Sequence, residues 1–374
     1  MRFCDIPGHA QVKDHLRSLV DNGKLAHAIL LQGPEGSAKF ALARALAQYI
    51  HCSDRHNGDS CGQCPSCRQM QAFNHIDTIF SFPVVKRKSG GVTVSNDYIR
   101  EFTSFITQSP WMDADLWLSA LDNPNTAPQI FVDEGAELMR RLSFTAHMSR
   151  HKVVLMWLPE RMKEDTANKM LKLVEEPFPD TVFIMTSDKP AEILPTIYSR
   201  VQRVNIPRYS NAEVADFLTA NGVTDPQAAA DAARLAQGNL IRALNLASVG
   251  GENAQYFDWF VQLMRLAYQR DIARLKQWSL TVAAEKRERQ GRFLDYCSRF
   301  LRENFVYNLK DPALVLMTDK EHGFSSKFAR FITEKNVLHL VSVFDNARID
   351  IAANANSKIV LLDLSVSVIL LLKQ

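Results

Sequence analysis

Two short stretches of this chain carry residue types that do chemistry. In the first, Cys52, Cys61, Cys64 and Cys67 follow the pattern C-x8-C-x2-C-x2-C. Four soft thiolates are what tetrahedral structural zinc prefers. Gly62, Pro65 and Ser66 supply the turns that let chain neighbours face one ion. Four protein ligands leave no open position for a reactive water, so such an ion is structural and not catalytic. A redox dithiol needs only two of these thiols. The nearby His51, His56 and His75 read as surface or packing residues, and the isolated Cys4 and Cys297 as packing residues.

The second stretch is "LQGPEGSAKF", Leu31 to Phe40. Gly33, Gly36 and Lys39 stand where the phosphate-binding pattern GxxxxGK[ST] has them, but Ala38 replaces the last glycine and Phe40 the Ser/Thr. A working site needs backbone N–H groups and a lysine for phosphate, a hydroxyl and a strand-end acid for magnesium, and a group that positions water. Phe40 has no oxygen to offer magnesium. In the strand "KVVLMWLPERM", the places an active site gives to acids hold Trp157 and Leu158. Glu160 lies further on and reads as a surface charge. Hydrolysis is therefore not expected, and binding of ATP or ADP has only the loop and Lys39 to support it.

The elements that must position these residues alternate. Ala28–Leu31 reads as a strand ahead of the glycine loop, and Phe40, Ala43, Leu46 and Ala47 follow at helical spacing. Lys152 to Leu158 and Thr181 to Ser187 are apolar runs suited to strands covered on both faces. A helix between them stops before Pro177. Such alternation indicates an α/β domain with a parallel sheet. Residues 86–128 break the pattern with "KRKSGGVTVSN", the turn-rich "LDNPNTAP", and an exposed-looking aromatic segment holding Phe102, Phe105, Trp111 and Trp117. They read as an insertion. After "NIPRYS" the chain turns all-helical, with short helices ended by Gly222 and Gly238 and longer ones from about Asn253.

The bulk numbers fit this organisation. A chain of 374 residues suggests two or three domains. With 46% hydrophobic and 23% charged residues it can build a core without staples, and a net charge of +3 gives no global nucleic-acid signature. The N-terminus lacks the apolar region of a signal peptide. The C-terminal "KIVLLDLSVSVILLLKQ" is interrupted by Asp363, Ser365 and Ser367, falls short of the ~18 apolar residues of a spanning helix, and reads as a buried core helix. A cytoplasmic protein with no membrane partner, its cysteines reduced thiols or metal ligands, is expected.

The stretches "HAILLQGPEGSAKFALARALA", "CGQCPSCR", "ANKMLKLVEEP", "LPTIYSR" and "GNLIRALNLA" together resemble bacterial clamp-loader AAA+ subunits of DNA polymerase III. Among these, the degraded ATP site favours the delta-prime family. The likeness covers roughly residues 1–85 and 128–250 well and the C-terminal helices loosely. It implies a RecA-like α/β AAA+ domain over 1–207, with a zinc module at 51–68 and the insertion at about 86–128. A helical lid over 208–250 and an all-α collar over 251–374 would follow. It further implies a non-hydrolysing member of a hetero-pentamer with gamma/tau and delta subunits, which places a sliding clamp on primer-template DNA. Structural zinc would be held by the four cysteines.

The resemblance also implies an arginine finger donated to a neighbour's ATP site. The matching residue is Arg200 in "YSR", where the family's Ser-Arg-Cys motif ends in Val201. A guanidinium so placed stabilises charge on the transferring phosphoryl group. Thr186 and Arg242 fall at or near the family's two sensor positions and are expected to be structural here. The insertion reads as a surface elaboration, with contact to DNA or a partner as the other reading. Two rival functions remain open at this level: an active gamma/tau-type ATPase, and a zinc-knuckle DNA-binding protein on an AAA+ frame.

Overall fold

The computed structural model describes residues 1–86, 92–121, 128–248, 250–311 and 314–372. The "RK" and "SGG" of the insertion and most of "LDNPNTAP" lie outside them. The chain divides into two compact units: residues 1–221 with 236–243, and 222–235 with 244–374. The segment 208–250 is thus shared between the two.

The first unit is built on a parallel sheet. Its strands are β1 (Ala28–Gln32), β2 (Thr78–Ser81), β3 (Lys152–Trp157), β4 (Thr181–Ser187) and β5 (Gln202–Asn205), in the order β2-β3-β4-β1-β5. Every residue of β2, β3 and β4 is buried, as expected of parallel strands with both faces covered. Helix α1 (Ala10–Asp21) precedes β1, and α2 (Lys39–His51) follows its loop. All thirteen residues of α2 are buried, so it is a core helix and not an amphipathic surface one. Helix α3 (Pro65–Gln71) then carries two of the cysteines' neighbours, Pro65 and Ser66, in its first turn. Helices α4 (Ile99–Gln108), α5 (Ala114–Ala120) and α6 (Asp133–Leu142) come before β3, α7 (Glu164–Glu175) before β4, α8 (Pro195–Tyr198) before β5, and α9 (Asn211–Ala220) after it.

The second unit is helical: most of α10 (Pro226–Ala236), the end of α11 (Leu240–Ser248), then α12 (Gly250–Gln269), α13 (Ile272–Ala283), α14 (Arg287–Tyr307), α15 (Asp319–Phe328), α16 (Val337–Ala352) and α17 (Ser357–Leu371). Its core centres on Phe260, Phe293, Phe300, Leu340, Phe344 and Leu361. Among the described residues no helix is long and apolar enough to cross a membrane.

Three sequence expectations need correction. The insertion's aromatics are not exposed. Phe102 and Trp117 are 0% and 1% accessible, Phe105 is buried, and Trp111 is half-buried against Phe217. Burying such large apolar faces outweighs the polar composition around them. The C-terminal helix is not buried all round: α17 buries Leu361, Leu364 and Val368 but leaves Ile359 and Leu370 about two-thirds exposed. Cys4 is exposed beside Asp5, whereas Cys297 is fully buried as expected.

Candidate functional site: a closed loop, a thiol cluster and an arginine

The glycine loop joins β1 to α2 at the C-terminal edge of the sheet. Gly33 is required because a Cβ there would sit 2.2 Å from the Ile206 carbonyl oxygen. Gly36 has φ +71°, and a Cβ would reach the Asn239 amide oxygen at 2.0 Å. Ala38 adopts φ +59° without being glycine, a conformation that costs about 1–2 kcal/mol for an L-residue. The loop keeps the shape of a phosphate cradle at that cost.

Its interior is occupied. The Lys39 ammonium is buried, lies 2.7 Å from an Asp188 carboxylate oxygen, and donates to the Pro34 carbonyl and, at 3.1 Å, to Ser37 Oγ. The charge that would meet a phosphate is therefore neutralised within the chain. Glu160 supports this arrangement. Its carboxylate accepts from the backbone N–H groups of Asp188 and Lys189 at 3.0 and 3.2 Å, fixing the turn that presents Asp188. Burial raises the Glu160 carboxyl above its usual range, so it is a positioned group and not the surface charge expected from sequence.

The two residues that replaced the magnesium ligands are covered by the insertion. The Phe40 ring lies 6.0 Å from Phe102 and 6.2 Å from Trp157. Phe102 stacks on Phe82 at 3.6 Å and meets Trp117 edge-on at 5.2 Å, and the Trp117 indole donates to the Pro83 carbonyl at 2.7 Å. Trp111 and Met112 line a small space beside the loop together with Lys39, Trp157, Thr186 and Asp188. The space left among them is about 10 Å³, no more than one water requires. On the loop itself, burial raises the Glu35 carboxyl first, and Asp113, Asp188 and Asp115 raise it further. Thr186 is buried in this space, and Arg242 lies exposed on α11.

The four cysteines do come together. Their sulfurs all lie within 4.8 Å of one another, with Cys52–Cys61 at 3.6 Å and Cys61–Cys67 at 3.9 Å. Tetrahedral zinc–thiolate bonds of ~2.3 Å put sulfurs roughly 3.8 Å apart, so the donor set and its spacing fit that ion. The backbone N–H groups of Gln63 and Cys64 point at Cys61 Sγ at 3.4 and 3.2 Å. Although burial opposes ionisation at Cys64, donors from Cys67 and Ser53 bring its thiol down to about 6. None of the three nearby histidines joins the sulfurs. His51 and His75 are buried and stack at 4.1 Å, and His51 bonds Ser149 and Thr78. His56 is exposed.

Arg200 follows α8, two residues ahead of β5. Its guanidinium pairs with Glu175 at the end of α7 and donates to the Thr196 carbonyl at 2.7 Å. Both partners of the pair are about two-fifths exposed. Because β1 and β5 run parallel, with Ile29 opposite Gln202 and Gln32 opposite Asn205, Arg200 lies at the edge where strands begin and the loop where they end. The length of β1 separates them, about 15 Å at ~3.3 Å per residue. Arg200 therefore cannot act on this chain's own loop.

A parallel sheet in the order 2-3-4-1-5, with a glycine loop between its first strand and helix, defines a RecA-like AAA+ α/β domain. A family model described as "DNA polymerase III, delta subunit" matches residues 8–210, and the chain belongs to that family. Relatives include the DNA polymerase III subunit delta' of Haemophilus influenzae, 29% identical over 62% of this chain and 58% of its own length, and that of Pseudomonas aeruginosa, 28% identical over 52% and 47%. The delta' subunit of Escherichia coli is 25% identical over 71% of each chain. The chain thus spans about half of the first two relatives. A gamma-subunit-related protein of Thermotoga maritima superposes on 96% of this chain and 99% of its own with a TM-score of 0.39 and 15% identity.

Sequence reasoning missed the plug. Its signal was present: aromatic residues replaced both magnesium-ligand positions in a chain that also carries an aromatic insertion.

Proposed function

We propose that this chain is the delta-prime-type, non-hydrolysing subunit of a bacterial clamp loader. It would work in the cytoplasm with gamma/tau and delta subunits in a hetero-pentamer that sets a sliding clamp on primer-template DNA. Residues 1–207 would form the AAA+ domain, 208–250 the lid and 251–374 the collar. The four cysteines would hold one structural zinc ion. The observation that carries this reading is the pairing of a loop whose lysine is tied to Asp188 with an arginine on the opposite sheet edge. The chain's own site has lost catalysis, and Arg200 can reach only a nucleotide held by another subunit, where it would complete the site in trans.

Two results test it. On reconstitution with gamma/tau and delta subunits, native mass spectrometry should give one copy of this chain per complex. A repeated copy number would point instead to a motor subunit. Calorimetric titration of the isolated chain with Mg·ATP to millimolar concentration should give no binding, with or without Lys39→Ala. ATP hydrolysis that Lys39→Ala abolishes would restore the motor reading.

A further inference from the structure

We propose that the helical unit carries a docking groove for a short acidic peptide bearing large apolar side chains. The groove is a cavity of about 530 Å³ between α12 and α15. Its floor is apolar: Phe257, Val261 and Met264 from α12 face Phe324 and Phe328 from α15. The floor is also rigid, with Phe257 edge-on to Phe324 at 5.8 Å and Phe324 stacked on Phe328 at 4.9 Å. Its rim is cationic. Arg265, Lys327 and Arg330 are all exposed, and no acidic side chain lines the cavity.

Three cations gather on this rim with no acid among the lining residues. Elsewhere in this unit Arg234, Arg274, Arg289 and Arg348 each pair with an aspartate or glutamate. Arg265, Lys327 and Arg330 have no ion-pair partner among the described residues; Arg330 lies over the Phe331 ring at 4.9 Å. Unpaired cations around an apolar floor complement a ligand that combines carboxylates with apolar side chains. Gly323 keeps one wall low. It sits inside α15, where glycine costs roughly 0.5–1 kcal/mol relative to alanine, and a Cβ there would meet nothing within 4 Å. From Phe257 to Tyr268 the groove runs about 16 Å, the length of about five extended residues. A peptide suits it better than single-stranded nucleic acid. The floor rings are packed against one another, and Tyr268 alone of the lining rings is strongly exposed, whereas strand binding stacks successive bases on open rings.

The groove involves neither the loop nor Arg200, so its test is separate from that of the loader reading. The probe is a fluorescein-labelled hexapeptide alternating aspartate with phenylalanine, measured by fluorescence anisotropy on the full chain. A counterpart with lysine in place of aspartate is the control. The acidic peptide should bind at least about tenfold more tightly than the control. Arg265→Glu with Lys327→Glu should weaken it about tenfold, and Gly323→Trp, which fills the groove, should do the same without lowering the unfolding temperature. Equal binding of the two peptides, or variants without effect on a folded chain, would overturn the proposal. So would displacement of the peptide by oligothymidylate, which would mark a nucleic-acid surface. Self-association of the chain that Gly323→Trp abolishes would overturn it too, since the occupant would then be a second copy.

Discussion

Arg200→Ala, in a reconstituted loader, is expected to leave assembly intact and to slow DNA-stimulated ATP hydrolysis at the adjoining site by about 10³-fold or more, the scale of an arginine finger in other NTPases. The expectation rests on position. Arg200 stands at the strand-start edge of the sheet, half exposed, and its sole carboxylate contact among the described residues is Glu175. An ion pair that open to water contributes about 0–1 kcal/mol, so losing it should not disturb the fold or the complex. Arg200→Lys should rescue little, because a point charge lacks the planar fork that grips phosphate oxygens. Glu175→Ala serves as the control. It breaks the same pair but frees the guanidinium, so it should leave hydrolysis at or above the wild-type rate. If Arg200→Ala hydrolyses ATP as fast as wild type, or if Glu175→Ala slows it equally, the pair is structural and the finger role fails.

The second large effect concerns the thiols. Cys67→Ser should yield protein that purifies with no stoichiometric zinc and with a thermal transition well below that of wild type. Apparent zinc-binding free energies in small four-ligand sites run to about 10–16 kcal/mol near neutral pH, and that binding is coupled to folding. Here the ion would tie the end of α2 to the start of α3 through Cys52 and Cys67, both buried. Since serine in a buried position is destabilising by itself, the decisive measurement uses a chelator. A zinc chelator should lower the transition of wild type toward that of the variant and leave the variant unmoved. Metal analysis of wild-type protein purified without added zinc, finding well under one equivalent, would sink the assignment.

Much of the frame was legible in the sequence because it is written in local pattern. The runs "KVVLMW" and "TVFIMTS" are strands within a residue of their expected ends, since an unbroken apolar run has few other homes. Gly222 and Gly238 do take positive φ just beyond α9 and α10. The cysteine cluster was legible because four ligands lie within sixteen positions of one another. What could not be read is what distant segments do to each other. Strands β2 and β5 are four residues each and are defined by pairing with β3 and β1, not by their own periodicity. The burial of Phe102 and Trp117 depends on where α4 and α5 dock. Glu160 looked like a solvated charge because its partners, the backbone N–H groups of Asp188 and Lys189, lie nearly thirty residues on.

The aromatic packing at Phe40 has a consequence for the protein's history. Restoring the hydroxyl alone, as Phe40→Thr, would leave a void beside Phe102 and Trp157 and strand a polar group in it. Emptying a buried aromatic position costs about 3–5 kcal/mol, and an unsatisfied hydroxyl about 1–3 kcal/mol more. Even then the magnesium site would lack its acid, because Trp157 occupies that place. Each step back toward an ATPase is thus opposed by its neighbours before any step is rewarded. On the proposed non-hydrolysing reading, the insertion would act as an evolutionary ratchet, making catalysis hard to regain by single substitutions.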